Sequence, residues 1–410
     1  MNALAPPVLI FITAFIFSLG VTFDLEIYVF MSMLYVLLVT SVSSYLIYKS
    51  LKNSIHIAPS YIALMTICNH SGMLLGFLMA GGADSMIWAA DAMDHHLPNA
   101  IAFSDWMAGE GQLEIFNENP FKTIYISNIW VGLFFYFMGA NPLATGLAMM
   151  LIKIVTIFII YRAAMELTND ACTSSVAGII YALSPTITFY TIQFYKDFFI
   201  QLLVSLILLS IFKYRNKIKT LLIIPITILI FERFYLSIMI SITFLVYFFL
   251  TAKGVIKKIL MQVFCIILSF IIFRYYFRGQ EIYDLFNIIQ NFADTHNDSA
   301  DVTPTTNIFI DLFRILFTPF FNFHKLEAYN KFDSLLIWGS FVHQVVMLFY
   351  IKGIWIYRKN SLTIVNLAFI FLILILALIV PYNGRARDSF YPLIVIYSAI
   401  GIASLFKRNK

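Results

Sequence analysis

Residues 362–381, LTIVNLAFIFLILILALIVP, form a continuous stretch with no charged side chain. A helix of about 20 apolar residues is long enough to cross the hydrocarbon core of a bilayer. The whole chain has the same character, since 61% of its residues are hydrophobic and only 12% are charged. A soluble domain has about twice that share of charged residues. The sequence therefore predicts an integral membrane protein built from α-helices.

Similar apolar runs recur along the chain and predict one all-α transmembrane domain, residues 1–410, with about 12 spans. The first run is interpreted as a span and not as a cleaved signal peptide, because no basic segment precedes it. The predicted spans are residues 7–22, 26–48, 60–80, 143–162, 172–190, 198–213, 219–231, 235–251, 257–277, 335–357, 362–381 and 388–407.

Lysine and arginine cluster at alternate turns, for example around Lys49 and Arg358. Basic residues are retained on the cytoplasmic side of a membrane, so this pattern predicts that both termini lie in the cytoplasm. Arg162 then falls in a cytoplasmic turn before the span 172–190. The apolar stretch 123–139 allows two interpretations. A full span would move Arg162 to the outside, whereas a juxtamembrane or re-entrant helix on the external side leaves the path intact and is favoured.

The predicted path leaves two large external loops, residues 81–142 and 278–334. The first loop contains the stretch just described as a juxtamembrane helix. The second loop has a polar middle followed by the amphipathic segment IFIDLFRILFTPFFNF, which is expected to lie on the membrane surface.

The densest polar cluster of the chain, DAMDHHLPN, begins at Asp91 in the first loop. A carboxylate of Asp91 or Asp94 could act as a general base that deprotonates an acceptor hydroxyl. The imidazoles of His95 and His96 could bind phosphate, hold a metal or tune that carboxylate. The alternative is an exposed polar loop without a chemical role.

Two more pairs of charged residues stand at predicted span ends. Lys196 and Asp197 precede a span, and a carboxylate so close to the bilayer is usually functional. The alternative for Asp197 is a structural acid favoured by the helix dipole. Lys196 could bind a phosphate or extend to the interface. Glu232 and Arg233, in a predicted outer turn, either pair with each other or support a site.

Arg385 and Arg387 lie in the short predicted outer turn PYNGRARDSFYP. Basic residues on the outer side oppose the usual distribution of charge. The planar guanidinium of arginine suits bidentate binding of phosphate. A local ion pair between Arg385 and Asp388 is the alternative explanation.

Several classes of protein are excluded by what the sequence lacks. It contains no phosphate-binding glycine loop, dinucleotide motif, nucleophile elbow or zinc-protease helix. The three cysteines have no metal-ligand spacing and predict no disulfide framework. The net charge of +5 comes from basic residues at span ends and does not indicate a nucleic-acid partner.

Three motifs resemble those of the GT-C superfamily of membrane glycosyltransferases, which includes protein mannosyltransferases and lipid A aminoarabinose transferases. The first is DAMDHHLP, from Asp91, where His95 replaces the more usual tyrosine. The second is LTNDACTSSVAGIIYALSPTITFYTIQFYKD, a span with a late proline that ends at Asp197. The third is RARDSFYP, from Arg385. The resemblance is best over residues 85–215.

The resemblance implies a polyprenyl-phosphate sugar as donor and a lipid, glycan or protein hydroxyl as acceptor, with inversion at the sugar. It implies that Asp91 or Asp94 is the general base and that Asp197 orients the acceptor or a metal. The resemblance fixes no cofactor and leaves metal dependence open, with Asp91, His96 and Asp197 as the candidate ligands of a divalent metal. The implied donor-phosphate ligands are His95, His96, Lys196, Arg385 and Arg387, with Glu232 and Arg233 in support.

Two other functions remain open. An O-antigen or capsular polysaccharide polymerase or ligase would rely on external arginines and the loop 278–334. A flippase or transporter of lipid-linked glycans would place charged residues near the bilayer midplane. The expected location is the bacterial inner membrane, with the active site on the periplasmic side.

Overall fold

The computed structural model describes residues 4–81, 92–111, 124–194, 196–214, 220–233, 331–360 and 388–407, together with isolated positions at 236, 240, 241, 243, 254, 366 and 369. Within these ranges the regular secondary structure is helical, with no strand. The helices are α1 (Ala5–Leu19), α2 (Leu25–Lys52), α3 (Pro59–Gly81), α4 (Leu97–Met107), α5 (Ile126–Met138), α6 (Pro142–Thr168), α7 (Ala171–Ala182), α8 (Pro185–Ile192), α9 (Asp197–Tyr214), α10 (Thr220–Glu232), α11 (Lys331–Ile356) and α12 (Tyr391–Lys407).

Five of the described helices are long and apolar enough to cross a membrane, and the bent pair α7–α8 would make a sixth span. The protein is therefore a helical membrane protein. The helices α9, α10 and α12 coincide with predicted spans but are short, with 18, 13 and 17 residues. The predicted span 257–277 lies outside the described residues, as do nearly all of 235–251 and 362–381 and most of the loop 278–334.

Helix α6 is longer than the predicted span 143–162. It begins after Asn141, whose Oδ1 accepts a hydrogen bond of 2.9 Å from the Ala144 N–H, and such a cap satisfies an otherwise unpaired helix N–H. It continues to Thr168, so the prediction that Arg162 lies in a turn is wrong. Arg162 forms an exposed salt bridge of 2.7 Å with Glu166, one helical turn further on.

The predicted span 172–190 is broken into α7 and α8, whose axes differ by 51°. The break follows from Pro185, which has no N–H to continue the hydrogen bonds of α7 but fits the first position of a new helix. Ser184 caps that new helix by accepting the Ile187 N–H at 3.5 Å. Helix α8 is only 8 residues long, and turn residues at 193, 194 and 196 separate it from α9.

The stretch 123–139 forms the 13-residue helix α5, which is too short to span the bilayer core. It packs against α4 and α6. The Trp130 Nε1–H donates to the Ala148 carbonyl at 2.9 Å, and a side chain at Gly132 would lie 2.7 Å from the Ala100 carbonyl oxygen. This length agrees with the favoured interpretation, in which the stretch is not a full span.

The two ends of the helical bundle differ in charge. The rings of Tyr48 and Phe406 lie 6.1 Å apart, which places the last turns of α2 and α12 at the same end. This end, called the basic end, carries Lys49, Lys52, Lys213 and Arg358 in or just after the last turns of α2, α9 and α11. At the opposite end, Ser32 and Ser334 join the first turns of α2 and α11 at 3.0 Å.

A buried hydroxyl joins four helices in the interior. The Thr188 Oγ1 on α8 accepts hydrogen bonds from Lys153 Nζ at 2.7 Å and from Asn69 Nδ2 at 3.2 Å. The Asn69 Oδ1 accepts from the Tyr35 hydroxyl at 2.9 Å. Lys153 lies mid-way along α6 and is fully buried. The short helix α8 is thereby fixed to α2, α3 and α6, which sets the position of the turn that follows it.

Candidate functional site

The turn at residues 193–197 is the centre of the polar site, and its key contact is an ion pair. Asp197 is the first residue of α9, and Arg233 directly follows α10. The Arg233 Nη2 lies 2.7 Å from the Asp197 Oδ1, and the side chains are only 10% and 8% exposed. The expected alternative of a pair between Glu232 and Arg233 is therefore wrong, because Arg233 turns toward α9.

Arg233 also reaches the last helix. Its Nη1 donates to the Ser389 Oγ at 2.9 Å, just before α12 begins. One residue earlier, the Asp388 carbonyl accepts from the Gln201 Nε2 at 2.9 Å. Gln201 is held in turn by the Tyr181 hydroxyl at 2.7 Å. These contacts fix the direction of the guanidinium and join α7, α9, α10 and the start of α12.

Glu232 has a different partner. Its carboxylate is buried and accepts the backbone N–H of Ser127 at 2.8 Å and the Ser127 hydroxyl at 3.0 Å. Ser127 lies in the first turn of α5, where the helix dipole favours a negative charge. Glu232 stands one residue beyond the predicted span 219–231. Burial raises the pKa of its carboxyl, and the hydrogen bonds from Ser127 and the charge of Lys196 oppose that rise.

His96 and Lys196 are brought together by two aromatic rings. The Lys196 Nζ lies 4.0 Å from the centre of the Tyr125 ring, a cation–π contact. The buried His96 ring lies 6.4 Å from the same tyrosine ring and 5.6 Å from the ring of Phe194. Phe194 has a φ of +55°, an uncommon conformation for a bulky residue that is often found at functional sites.

Among the described acidic and histidine residues of the DAMDHHLPN motif, only His96 is buried. His96 ends a π-helical turn, Ala92–His96, and such turns are frequent at functional sites. Asp94 in the same turn is exposed, and His95 is partly buried. Asp91 lies outside the described residues, as do Arg385 and Arg387.

Two buried amides belong to the same region and were not predicted from the sequence. Asn128 follows Ser127 on α5, and Gln193 precedes Phe194 in the turn after α8. Both side chains are fully buried, and the described part of the protein offers no hydrogen-bond partner to the oxygen or the nitrogen of either amide. Buried amides are nearly always hydrogen-bonded, so both point to a polar group that the described chain does not supply.

The predicted metal set cannot be assembled from the described residues, because Asp91 is not among them. Within the ranges that the structure describes, no three histidine, cysteine, aspartate or glutamate side chains form a group that could hold a metal ion. His96 and Asp197 are the described members of the proposed set, and Asp197 is already engaged by Arg233.

Five separate segments therefore contribute to one polar region away from the basic end: residues 92–96, 125–128, 193–197, 232–233 and 388–389. The region combines two cations, two acids, an imidazole and two amides beside aromatic rings. Such a set can bind an anionic group and orient a polar one next to it. Tyr125, Ser127 and Ser389 contribute through contacts that only the folded chain reveals.

No protein-family model, curated protein or solved structure matches the chain.

Proposed function

We propose that the protein is a GT-C-like membrane glycosyltransferase that moves a sugar from a polyprenyl-phosphate donor to an acceptor hydroxyl. The observation that carries this proposal is the Asp197–Arg233 ion pair beside Lys196, at the ends of membrane helices. Charged groups beside a bilayer are costly and generally serve a function. A lipid-linked phosphate is the substrate that brings a negative charge to that depth while its chain stays in the bilayer.

In the proposed reaction, the acceptor oxygen attacks the anomeric carbon, and the carbon–oxygen bond to the phosphate breaks. The hydroxyl proton passes to a carboxylate, and polyprenyl phosphate leaves. Arg233 engages the Asp197 carboxylate, so we assign the base to Asp91 or Asp94 and an orienting role to Asp197. A divalent metal held by Asp91, His96 and Asp197 would stabilise the phosphate charge.

The leaving phosphate needs positive groups. Lys196 and His96 meet around Tyr125, and we assign both to the phosphate. Arg385 and Arg387 precede Ser389 by four and two residues in the sequence, and Ser389 binds Arg233. We therefore include both arginines, and His95, among the phosphate ligands. Guanidinium groups would stabilise the charge that develops on the leaving oxygen.

The orientation is part of the proposal. Basic residues mark the cytoplasmic side of membrane proteins, and the site lies away from the basic end. We therefore propose about 12 spans with both termini inside and the site on the periplasmic face of a bacterial inner membrane. The acceptor would be a lipid, a glycan or a protein.

One observation favours a second candidate, a flippase or transporter of lipid-linked glycans. Lys153 is fully buried half-way along a 27-residue helix, where transporters place functional charges. In the glycosyltransferase, Lys153 serves only to hold α8 through Thr188. The two functions therefore differ in what the Lys153→Met variant does.

The test is sugar transfer by purified protein in liposomes, with decaprenyl phosphates carrying mannose, glucose or galactose as donors and a membrane extract as acceptor. Asp91→Asn or Asp94→Asn should reduce transfer at least 100-fold, as for the loss of a general base. Asp105→Asn, an exposed acid on α4, is the matched control and should keep the rate. Unchanged transfer in both site variants would refute the assignment. The transporter would be favoured if the wild type translocates the lipid but transfers no sugar, and if Lys153→Met abolishes that translocation.

A further inference from the structure

Asn128 and Gln193 are the two buried amides that the proposed phosphate chemistry does not use. Each is fully buried, and neither amide has a hydrogen-bond partner among the described residues. A buried amide without a hydrogen-bond partner destabilises the folded protein. Two such amides close to one site therefore indicate that a ligand pairs with them there.

Their surroundings tie both amides to that site. Asn128 is adjacent to Ser127, which binds Glu232, and lies one helical turn after Tyr125, whose ring contacts Lys196 and His96. Gln193 is adjacent to Phe194, whose ring lies 5.6 Å from His96, and precedes Lys196 by three residues. Asn128 on α5 and Gln193 in the turn after α8 therefore each lie within three residues of an aromatic residue that contacts His96 or Lys196.

The chemistry of an amide selects its ligand. Each carboxamide offers an N–H₂ donor and a carbonyl acceptor. A phosphate only accepts hydrogen bonds, so it would leave both amide oxygens unpaired, and a lipid chain would leave all four groups unpaired. A hydroxyl group both donates and accepts. A ligand with several neighbouring hydroxyls therefore satisfies both amides completely.

We propose that Asn128 and Gln193 bind the hydroxyl groups of the donor sugar and thereby select the sugar that is transferred. This inference rests on the proposed function and adds to it the recognition of the sugar, next to the cations that hold its phosphate. A site that hydrogen-bonds a hydroxyl discriminates strongly against a ligand that lacks it, because its own polar groups are then left unpaired.

The experiment compares the affinity of purified protein for decaprenyl monophosphate with its affinity for decaprenyl phosphates carrying mannose, glucose or galactose. The wild type should bind at least one sugar-bearing lipid about tenfold more tightly than the bare phosphate lipid, as one or two net hydrogen bonds allow. Asn128→Leu and Gln193→Met should each remove about tenfold of that preference and leave binding of decaprenyl monophosphate unchanged. Asn128→Ala and Gln193→Ala remove the same amides without adding a larger apolar side chain, and they should show the same loss of preference.

Thermal unfolding supplies the second readout. Amides without protein partners can be replaced by apolar groups without loss, so Gln193→Met should unfold at the wild-type temperature or higher. The matched control is Gln201→Met, because the Gln201 amide is bonded at both ends to Tyr181 and Asp388. That control should unfold about 2 °C or more below the wild type. An equal drop in Gln193→Met would overturn the inference.

The outcomes separate this inference from the proposed function. If the wild type binds decaprenyl monophosphate and the sugar-bearing lipids equally well, the sugar site is refuted and the phosphate site stands. If the amide variants keep the full preference for a sugar, recognition lies elsewhere and the inference is again refuted. If the wild type binds neither kind of lipid, the proposed function fails and this inference fails with it.

Discussion

Arg233 and Asp197 form a buried salt bridge, with 2.7 Å between Nη2 and Oδ1, although 36 positions separate them in the sequence. The pair joins the end of α10 to the first turn of α9. It also brings the last helix to the site, since Arg233 binds Ser389. The Lys196–Asp197 turn is thus held from two other parts of the chain.

Removing one partner of this salt bridge should lower the free energy of unfolding more than removing both partners does. Asp197→Asn leaves the Arg233 charge buried without its carboxylate and should cost roughly 3–5 kcal/mol of the free energy of unfolding. Adding Arg233→Met should restore most of that stability, while sugar transfer stays lost in both variants. Chemical unfolding in detergent micelles measures the first effect, and the liposome assay measures the second.

The exposed pair Arg162–Glu166 is the control for that experiment. It has the same 2.7 Å separation, but Arg162 is 59% exposed. Glu166→Gln should change the free energy of unfolding by less than about 1 kcal/mol, as is usual for surface pairs. Equal losses at the two sites would contradict the burial of the Asp197–Arg233 pair.

The Glu232 carboxyl predicts a dependence of stability on pH. Its pKa in the folded protein is raised above the ordinary value of 4.5, because burial disfavours the charged form. The folded state therefore binds its proton more tightly than the unfolded state does. The contribution of Glu232 to the free energy of unfolding is therefore full below pH 4.5 and is lost as the pH rises through the raised pKa.

The measurement compares the wild type with Glu232→Gln across that pH range. The variant lacks this titration, so the wild type should lose stability relative to Glu232→Gln as the pH rises above 4.5. Ser127→Ala removes one hydrogen bond to the carboxylate and should steepen the loss. Parallel stability curves for the wild type and Glu232→Gln would contradict the assigned environment.

Loss of the Thr188 hydroxyl should lower the free energy of unfolding more than loss of the Lys153 amine that it binds. Thr188→Val leaves Lys153 Nζ and Asn69 Nδ2 buried without that acceptor, which should cost about 2–4 kcal/mol. Lys153→Met replaces the buried cation by an apolar chain of similar length and should be close to neutral. Thr188→Val should therefore cost less in the Lys153→Met background, and a double-mutant cycle of unfolding free energies measures the coupling.

Helices α11 and α12 pack too closely for a side chain at Gly401. A Cβ atom there would lie 2.1 Å from the carbonyl oxygen of Phe349. Gly401→Ala should therefore separate the helices and cost roughly 1–3 kcal/mol or more, measured by thermal unfolding. Gly20→Ala is the control, because its nearest contact would be an ordinary 3.5 Å to Met31. A tolerated Gly401→Ala would contradict this packing.

The sequence predicted the helices well, because long apolar runs leave the backbone little alternative within a bilayer. The ends of α2 and α3 fall within a few residues of the predicted ends, and Pro185 explains why the predicted span 172–190 is broken. The sequence pattern does not reveal the extension of α6 to Thr168, because charged residues often indicate a turn, whereas Arg162 and Glu166 stabilise each other within the helix.

The site was predicted only in part, for a physical reason. Charges near span ends drew attention to Lys196, Asp197, Glu232 and Arg233, but adjacency in sequence suggested the wrong partner for Arg233. Ion pairing follows from how α9 and α10 pack, which no local pattern reports. Lys153 carried a readable signal, a single cation inside an apolar run, and it was overlooked.

The most direct test of the account is which side of the membrane each residue faces. In a variant of the chain without its cysteines, single cysteines at positions 94, 197, 387 and 213 are treated with a membrane-impermeant thiol reagent in intact cells. The account predicts that positions 94 and 387 react from outside, that position 197 reacts there more slowly because it is buried, and that position 213 reacts only after permeabilisation. Reaction of positions 197 and 387 from opposite sides would contradict a shared external site for sugar transfer.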